Sequence, residues 1–145
     1  MRTLIIPILI LSVCLSSCKE DDLKPEADLI GVWQLNEIYH SEDGHISEED
    51  LGFNDKYTFR VDGTFERKLV ADDETLEGSG TYSFREAKLI NSSMNKLYLV
   101  LIFQSGGEQG WVCGENKTEL QLTFQDELVN SCEAKEGRIY YYKKQ

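Results

Sequence analysis

Histidine and proline are scarce in this 145-residue chain, and the common catalytic motifs are missing. His40 and His45 are the only histidines. The chain has no His-Glu-X-X-His pair, no Gly-X-Ser-X-Gly elbow and no glycine-rich phosphate loop. Carboxylates are plentiful, but they cluster in segments predicted to be loops, and a solvated carboxylate is a poor general acid. The sequence therefore predicts no catalytic residues, no enzymatic activity and no cofactor.

Basic residues are also few. After residue 17 the chain carries 14 basic and 26 acidic residues, which gives a net charge of −12. Such a balance repels phosphate backbones, so nucleic acid is excluded as a partner. It also disfavours a domain that lies flat on an anionic membrane surface.

No residue set predicts a metal site. Residues 43–50 resemble the second half of an EF-hand calcium loop, but Tyr39 stands where that loop needs an aspartate and Asp50 where it needs a glutamate. Cys113 and Cys132 lack the further ligands that tetrahedral zinc requires. A solvated acidic loop is the interpretation of residues 43–50.

Residues 1–17 have the pattern of a signal peptide. Arg2 precedes an apolar run that is too short for a membrane-spanning helix. The following Leu15-Ser16-Ser17-Cys18 resembles the lipobox of bacterial lipoproteins. This resemblance implies cleavage before Cys18, which would carry a thioether-linked lipid and a further acyl chain, enough for stable anchoring in a membrane. The alternative is an ordinary secretory signal with a chance cysteine at the cut.

Residues 18–28 form a short acidic tether interrupted by Pro25. Its first charged residues, 19–22, resemble the export signal that some Gram-negative bacteria use to display lipoproteins at the surface. The alternative is that these charges only solvate the tether. The predicted location is the outer membrane, with the outward face favoured.

Four cysteines occur in the chain. Cys14 leaves with the signal peptide and Cys18 is the lipidation site, so Cys113 and Cys132 remain in an oxidising compartment. A disulfide between them is predicted, and two separate buried thiols are the alternative.

Residues 29–145 are predicted to form one all-β domain. Short apolar runs rich in Tyr, Phe, Val, Ile and Thr alternate with Gly, Asn, Asp and Ser clusters, a pattern typical of an all-β sandwich or barrel. About eight strands are predicted, near residues 31–39, 55–61, 64–70, 78–85, 96–104, 108–113, 118–124 and 137–143. Only residues 85–89 could make a helical turn.

One hairpin can be predicted residue by residue. A two-residue turn at Asp62-Gly63 would mix apolar and charged side chains on both faces. A three-residue turn, with Gly63 in the left-handed conformation, instead pairs Phe59 with Phe65 and Tyr57 with Arg67. The three-residue turn is therefore predicted, with the aromatic face directed inward.

Four segments resemble lipocalins and bacterial lipocalin-like domains: Gly31-Val32-Trp33, the hairpin at 57–65, Gly80-Thr81-Tyr82, and Arg138 to Tyr142. The resemblance implies an antiparallel up-and-down barrel that holds a small ligand. In the lipocalin pattern an arginine of the last strand packs over the first-strand tryptophan, and Arg138 over Trp33 is the implied pair. The domain is shorter than a typical secreted lipocalin, and it shows no clear second lipocalin motif.

Two alternative functions are predicted, of which the resemblance implies the first. The first is a carrier for a small hydrophobic or amphipathic ligand, with a pocket lined by Tyr57, Phe59, Phe65 and Tyr82. Arg67 could then pair with a ligand carboxylate. The alternatives are that the aromatics are plain core and that Arg67 reaches solvent. The second function is a non-catalytic scaffold with a filled barrel, whose acidic loop 41–55 and tip 105–107 contact a protein or glycan.

Overall fold

The computed structural model describes residues 28–88, 95–106, 116–123, 125–130 and 137–145. Nine β-strands and one short 3-10 helix (Glu48–Asp50) lie within these ranges. The strands are β1 (Gly31–His40), β2 (Gly44–Ser47), β3 (Phe53–Phe59), β4 (Thr64–Ala71), β5 (Glu74–Lys88), β6 (Asn95–Ser105), β7 (Lys117–Leu122), β8 (Glu127–Asn130) and β9 (Arg138–Lys144).

The sheet closes on itself as a barrel. Strands β3 to β8 each pair antiparallel with the next strand along the chain, and β9 pairs with β1. β1 also pairs with β3 through residues 31–34 and with β2 through residues 37–40. The barrel therefore has eight strands, and β2 is a short addition beside the second half of β1. This confirms the predicted antiparallel up-and-down barrel of about eight strands, and the β1–β9 pairing shows in addition that it is closed.

Each end of the barrel collects alternate connections. We call the end at which β1 begins the lower end; it also carries the β3–β4 turn and the C-terminal residue Gln145. The upper end is the end at which β1 finishes, and it carries the β1–β2 turn, the 3-10 helix and the β4–β5 turn at Asp72 and Asp73. An antiparallel meander requires this alternation because every strand reverses direction.

The predicted hairpin is confirmed. Phe59 pairs with Phe65 and Tyr57 with Arg67. The Arg60 amide donates to the Thr64 carbonyl at 3.0 Å, which closes the three-residue turn, and Gly63 has a φ of +80°. The turn therefore gives β3 and β4 the register that places their aromatic residues on one face.

The barrel interior is an apolar core. Alternate residues of the strands point inward, and these carry most of the large apolar side chains. Fourteen described residues form the buried cluster: Leu29, Trp33, Leu35, Ile38, Tyr57, Phe59, Phe65, Leu99, Leu101, Phe103, Leu120, Leu128, Tyr140 and Tyr142. Phe65 and Phe103 meet edge to face with ring centroids 4.9 Å apart.

Two glycines of β5 make room for this packing. A Cβ on Gly78 would approach the Phe103 ring to 3.0 Å, and one on Gly80 would lie 1.9 Å from the Ile102 carbonyl oxygen. The β5–β6 register shifts between Ser79 and Gly80. Glycine is thus required where the bulge brings β6 close to β5.

Strand predictions were correct in most places. Seven of the eight predicted strands match observed strands to within a few residues, namely β1, β3, β4, β5, β6, β7 and β9. The predicted strand at 108–113 lies outside the described residues, and β2 and β8 were not predicted. A helical turn beginning at residue 85 was wrong, because β5 continues to Lys88 and pairs with β6 throughout.

Candidate functional site

A half-open pocket of about 230 Å³ lies at the upper end of the barrel. It lies between the end of β1, the β1–β2 hairpin, the 3-10 helix with its following loop, and the start of β9. Its lining residues are Ile38, His40, Asp43, Ile46, Asp50, Leu51, Gly52, Phe53, Arg138 and Tyr140. The pocket is therefore built at the upper ends of β1, β3 and β9.

The inner part of the pocket is apolar. Ile38 of β1 pairs with Tyr140 of β9, and both side chains belong to the buried core. Leu51 and Phe53 are partly buried and pack against that core. Ile46, opposite Ile38 in the β1–β2 ladder, extends this surface outward. These side chains give the pocket a hydrophobic floor.

The outer part of the pocket is charged. His40 Nδ1 lies 2.9 Å from Asp43 Oδ2 across the β1–β2 turn. Ser47 Oγ donates to Asp50 Oδ2 at 3.1 Å, which orients that carboxylate at the end of the 3-10 helix. Arg138 is the only Lys or Arg among the residues that line this pocket. Apolar floor and ionisable rim together suit an amphipathic ligand.

The acidic segment at this end holds no metal cluster. Glu42, Glu48 and Glu49 are exposed, as are Asp43 and Asp50. Within the part of the chain that the structure describes, no three His, Cys, Asp or Glu side chains converge on a point where an ion could bind. The segment contributes negative potential at the pocket mouth.

The structure places the five predicted ligand-binding residues on the inner face of β3, β4 and β5. Tyr57, Phe59, Phe65 and Arg67 are buried, and Tyr82 is half-buried. The rings of Tyr57 and Phe59 are stacked with centroids 5.9 Å apart, and Tyr82 meets Phe59 edge to face at 5.4 Å. These residues therefore contact one another as a packed aromatic cluster, and a ligand-binding role for them stays a prediction.

Arg67 has a carboxylate partner within the protein. Its Nε and Nη2 donate to the two oxygens of Asp55 at 2.9 and 2.8 Å, a bidentate pair in which both residues are almost fully buried. Tyr142 Oη donates to Asp55 Oδ2 at 2.8 Å. The Arg67 guanidinium also lies 5.3 Å from the centre of the Tyr57 ring. The buried carboxylate thus accepts three hydrogen bonds, which offsets part of the cost of burying it.

Burial and neighbouring charge shift the ionisation of this cluster. Burial raises the pKa of both Tyr57 and Tyr142, and the Asp55 carboxylate raises both further. Burial alone would lower the pKa of Arg67, but its interactions with Tyr57 and Asp55 outweigh that effect and raise the pKa. Arg67 therefore stays charged and both tyrosines stay neutral at neutral pH.

Tyr57 and Tyr142 differ in one respect. The Tyr142 hydroxyl has Asp55 as its acceptor, whereas the Tyr57 hydroxyl is buried without a hydrogen-bond partner among the described residues. An unpaired buried hydroxyl is unfavourable. The hydroxyl group is therefore stabilising on Tyr142 and destabilising on Tyr57.

The predicted contact of Arg138 with Trp33 is wrong. Arg138 pairs with His40 at the upper end, whereas Trp33 pairs with Lys144 at the lower end. Seven residues of β1 separate the two positions, about 23 Å of strand. Trp33 Nε1 donates to the Leu29 carbonyl at 2.7 Å, and Lys144 Nζ donates to the Asp28 carbonyl at 2.7 Å. Lys144, not Arg138, is the basic residue that closes the lower end.

Three further predicted sites lie outside the described residues. They are the lipidation site Cys18 and the disulfide partners Cys113 and Cys132. All three stay predictions from the sequence. No helix in the described ranges has the length and apolar character needed to cross a bilayer.

A second cavity, of about 300 Å³, opens on the barrel wall near the bulge of β5. Its rim includes Lys68 and Glu77, which form an ion pair at 3.4 Å, and Ser79 and Ser105, whose hydroxyls are 2.9 Å apart. The polar groups named here are paired with one another. The upper pocket, with its apolar floor, is the better candidate site.

The sequence did not predict the upper pocket as a ligand site. Parts of its lining had been assigned other roles: Arg138 as the partner of Trp33, and residues 43–53 as part of the acidic loop 41–55 that could contact a protein or glycan. Eight of its ten lining residues lie between Ile38 and Phe53, and the other two, Arg138 and Tyr140, are brought beside them by the pairing of β9 with β1. The sequence contains one indication of this pocket: His40, Asp43 and Asp50 lie close to apolar residues at 38, 46 and 51.

Comparison with known proteins does not extend the assignment. No protein-family model matches the chain, and neither a curated protein sequence nor a solved structure is significantly similar to it. The likeness to lipocalin-like domains therefore depends on the sequence motifs and the barrel architecture.

Proposed function

We propose that this protein is a lipid-anchored protein of the bacterial cell envelope that binds a small amphipathic ligand in the upper pocket. The observation that carries the ligand proposal is the half-open, apolar-floored pocket of about 230 Å³ with its ionisable rim. The lipobox motif at Cys18 and the oxidising compartment that it implies support the location. We propose no catalytic role.

The pocket size limits the ligand. Sites for drug-sized molecules usually measure roughly 300–1,000 Å³, so a cavity of about 230 Å³ accepts a shorter molecule or the end of a longer chain. The apolar part would contact Phe53 and Tyr140, and the polar head would remain at the rim. Because the pocket is half-open, a longer ligand could extend into solvent.

Charge favours a cationic head group. Asp43 and Asp50 line the pocket, and the adjacent Glu48 and Glu49 are exposed. Against these, Arg138 is the single Lys or Arg in the lining. The negative potential of the acidic segment attracts a cation and repels a carboxylate. This preference differs from the carboxylate ligand that Arg67 alone would suggest, and Arg67 already pairs with Asp55.

The test uses three six-carbon probes that differ only in head group: hexylamine, hexanol and hexanoic acid at neutral pH. Calorimetric titration of the mature chain is expected to show the tightest binding for the amine and the weakest for the acid. Phe53→Ala should weaken amine binding by about tenfold, because losing part of a phenylalanine contact costs roughly 1.4 kcal/mol. Val61→Ala is the matched control, since Val61 is 90% exposed at the lower end.

A second function has support from a different observation. The interior of β3, β4 and β5 is filled by the aromatic cluster and by the buried Asp55–Arg67 pair. A filled barrel with an exposed acidic end suits a scaffold that contacts a basic protein surface. If none of the three probes binds while the fold is intact, the carrier proposal fails and the scaffold is favoured.

A further inference from the structure

We infer that the lower end of the barrel is the surface that faces the lipid bilayer, so that the upper pocket opens away from the membrane. The inference rests on the proposed lipid anchor at Cys18. Beyond the anchor itself, it specifies which surface of the domain meets the lipid and in which direction the ligand site opens. Three independent observations lead to it.

The first observation is where the chain enters the barrel. Leu29 is fully buried, and its carbonyl accepts a hydrogen bond from Trp33. Lys144 of the last strand donates a hydrogen bond to the Asp28 carbonyl. These contacts fix residues 28 and 29 at the lower end, immediately before β1. The tether that follows Cys18 therefore joins the barrel at the end opposite to the pocket.

The second observation is the distribution of charge. The described connections of the upper end carry a run of acidic side chains in residues 42–43, 48–50 and 72–73. The lower end is mixed: Arg60 and Asp62 lie in the β3–β4 turn, Asp126 and Glu127 lie at the β7–β8 turn, and Lys143 and Lys144 end β9. An anionic lipid surface repels the first and tolerates the second.

The third observation is an exposed apolar side chain at the lower end. Val61 is 90% exposed at the tip of the β3–β4 turn, the most exposed large hydrophobic residue in the described ranges. Arg60 beside it is partly exposed and pairs with Glu66 at 2.6 Å. An apolar tip next to a basic residue is suited to contact with the head-group region of a bilayer.

The experiment measures which end approaches the lipid. The full lipidated chain, purified from membranes, is labelled with a fluorescent maleimide at Val61→Cys or at Glu49→Cys and reconstituted into vesicles of phosphatidylethanolamine and phosphatidylglycerol. A head-group spin-labelled lipid serves as the quencher. The label at 61 is expected to lose at least half of its fluorescence, and the label at 49 should be nearly unchanged. The unsubstituted chain, treated in the same way, measures reaction at the native cysteines.

The outcomes separate the orientation from the anchor. Versions of both labelled chains that are produced without residues 1–18 should not bind the vesicles and should show no quenching, which excludes attraction of the dye itself to lipid. Equal quenching at both positions, or stronger quenching at 49, would overturn the orientation while the anchor and the pocket remain. If the parent chain does not associate with vesicles, the anchor is wrong and the orientation is lost with it. Both labelled side chains are exposed, so both variants should fold, as circular dichroism can verify.

Discussion

Removing either member of the buried Asp55–Arg67 pair should destabilise the protein more than removing both. The pair makes two charge-assisted hydrogen bonds of 2.8–2.9 Å and is 0% and 4% exposed. Arg67→Met leaves a buried carboxylate without its cation, and Asp55→Leu leaves a buried guanidinium without its anion. Loss of one partner from such a pair typically costs about 3–5 kcal/mol.

The double variant behaves differently because it leaves no uncompensated charge. Asp55→Leu with Arg67→Met replaces the pair by apolar groups, and such replacements are often neutral or stabilising. The Tyr142 hydroxyl then loses its acceptor, an unmade bond that costs roughly 1–3 kcal/mol. The double variant is therefore expected to lose less free energy of unfolding than either single variant.

Urea unfolding followed by tryptophan fluorescence measures these differences. A loss of about 4 kcal/mol lowers the midpoint by about 2 M when the urea dependence is about 2 kcal/mol per molar. The exposed Arg60–Glu66 pair, with side chains 44% and 56% exposed, is the control, and its double-mutant cycle should show little or no coupling. If the costs of the two buried substitutions simply add, within about 0.5 kcal/mol, the reasoning about an uncompensated buried charge is refuted.

Three further predictions concern stability. The pKa values of Tyr57 and Tyr142 are raised above the ordinary value of 10.0 by burial. The contribution of these two tyrosines to the free energy of unfolding is therefore fully present below pH 10. Above pH 10 the unfolded chain loses the tyrosine protons before the folded chain does. The free energy of unfolding then falls by about 1.4 kcal/mol per pH unit for each tyrosine. At pH 7, Tyr142→Phe should destabilise because Asp55 loses a donor, whereas Tyr57→Phe should be neutral or stabilising because its hydroxyl is unpartnered; equal effects in urea titrations would contradict this. Gly80→Ala should cost about 1–3 kcal/mol or more by overpacking, because its Cβ would meet the Ile102 carbonyl, whereas Gly52→Ala, with no atom within 4 Å, should change the urea midpoint little.

The sequence predicted best those parts of the fold that depend on neighbouring residues. The β3–β4 hairpin could be predicted because a left-handed glycine sets the turn and only one register gathers the aromatic residues on one face. β8 was missed because Glu127–Asn130 has only four residues, too few to show an alternating pattern. β2 was missed because Gly44–Ser47 lies within an acidic segment and pairs with only part of β1.

The errors at the site come from contacts between distant segments. Placing Arg138 over Trp33 required the register of β9 on β1, which joins residues about a hundred positions apart in the chain and includes an irregularity between Leu35 and Glu37. No local signal sets that register. The Asp55–Arg67 pair depends on a more local signal, since the alternation along β3 places Asp55 on the same face as Tyr57. The pairing is diagonal, however, because Asp55 lies opposite Leu69 and Tyr57 lies opposite Arg67.

The buried pair also constrains where a ligand can bind. Asp55 is the next inward residue below Phe53 on β3, and Tyr142 is the next inward residue below Tyr140 on β9. Phe53 and Tyr140 line the pocket, so the hydrogen-bonded Asp55–Tyr142–Arg67 group lies about 7 Å deeper along the strands. A ligand that entered further would have to separate a bidentate ion pair or pack its apolar end against it, and both are unfavourable. The ion pair therefore limits how deep a ligand could enter, and under the proposed carrier function selection among ligands would fall to the apolar floor and to the acidic rim.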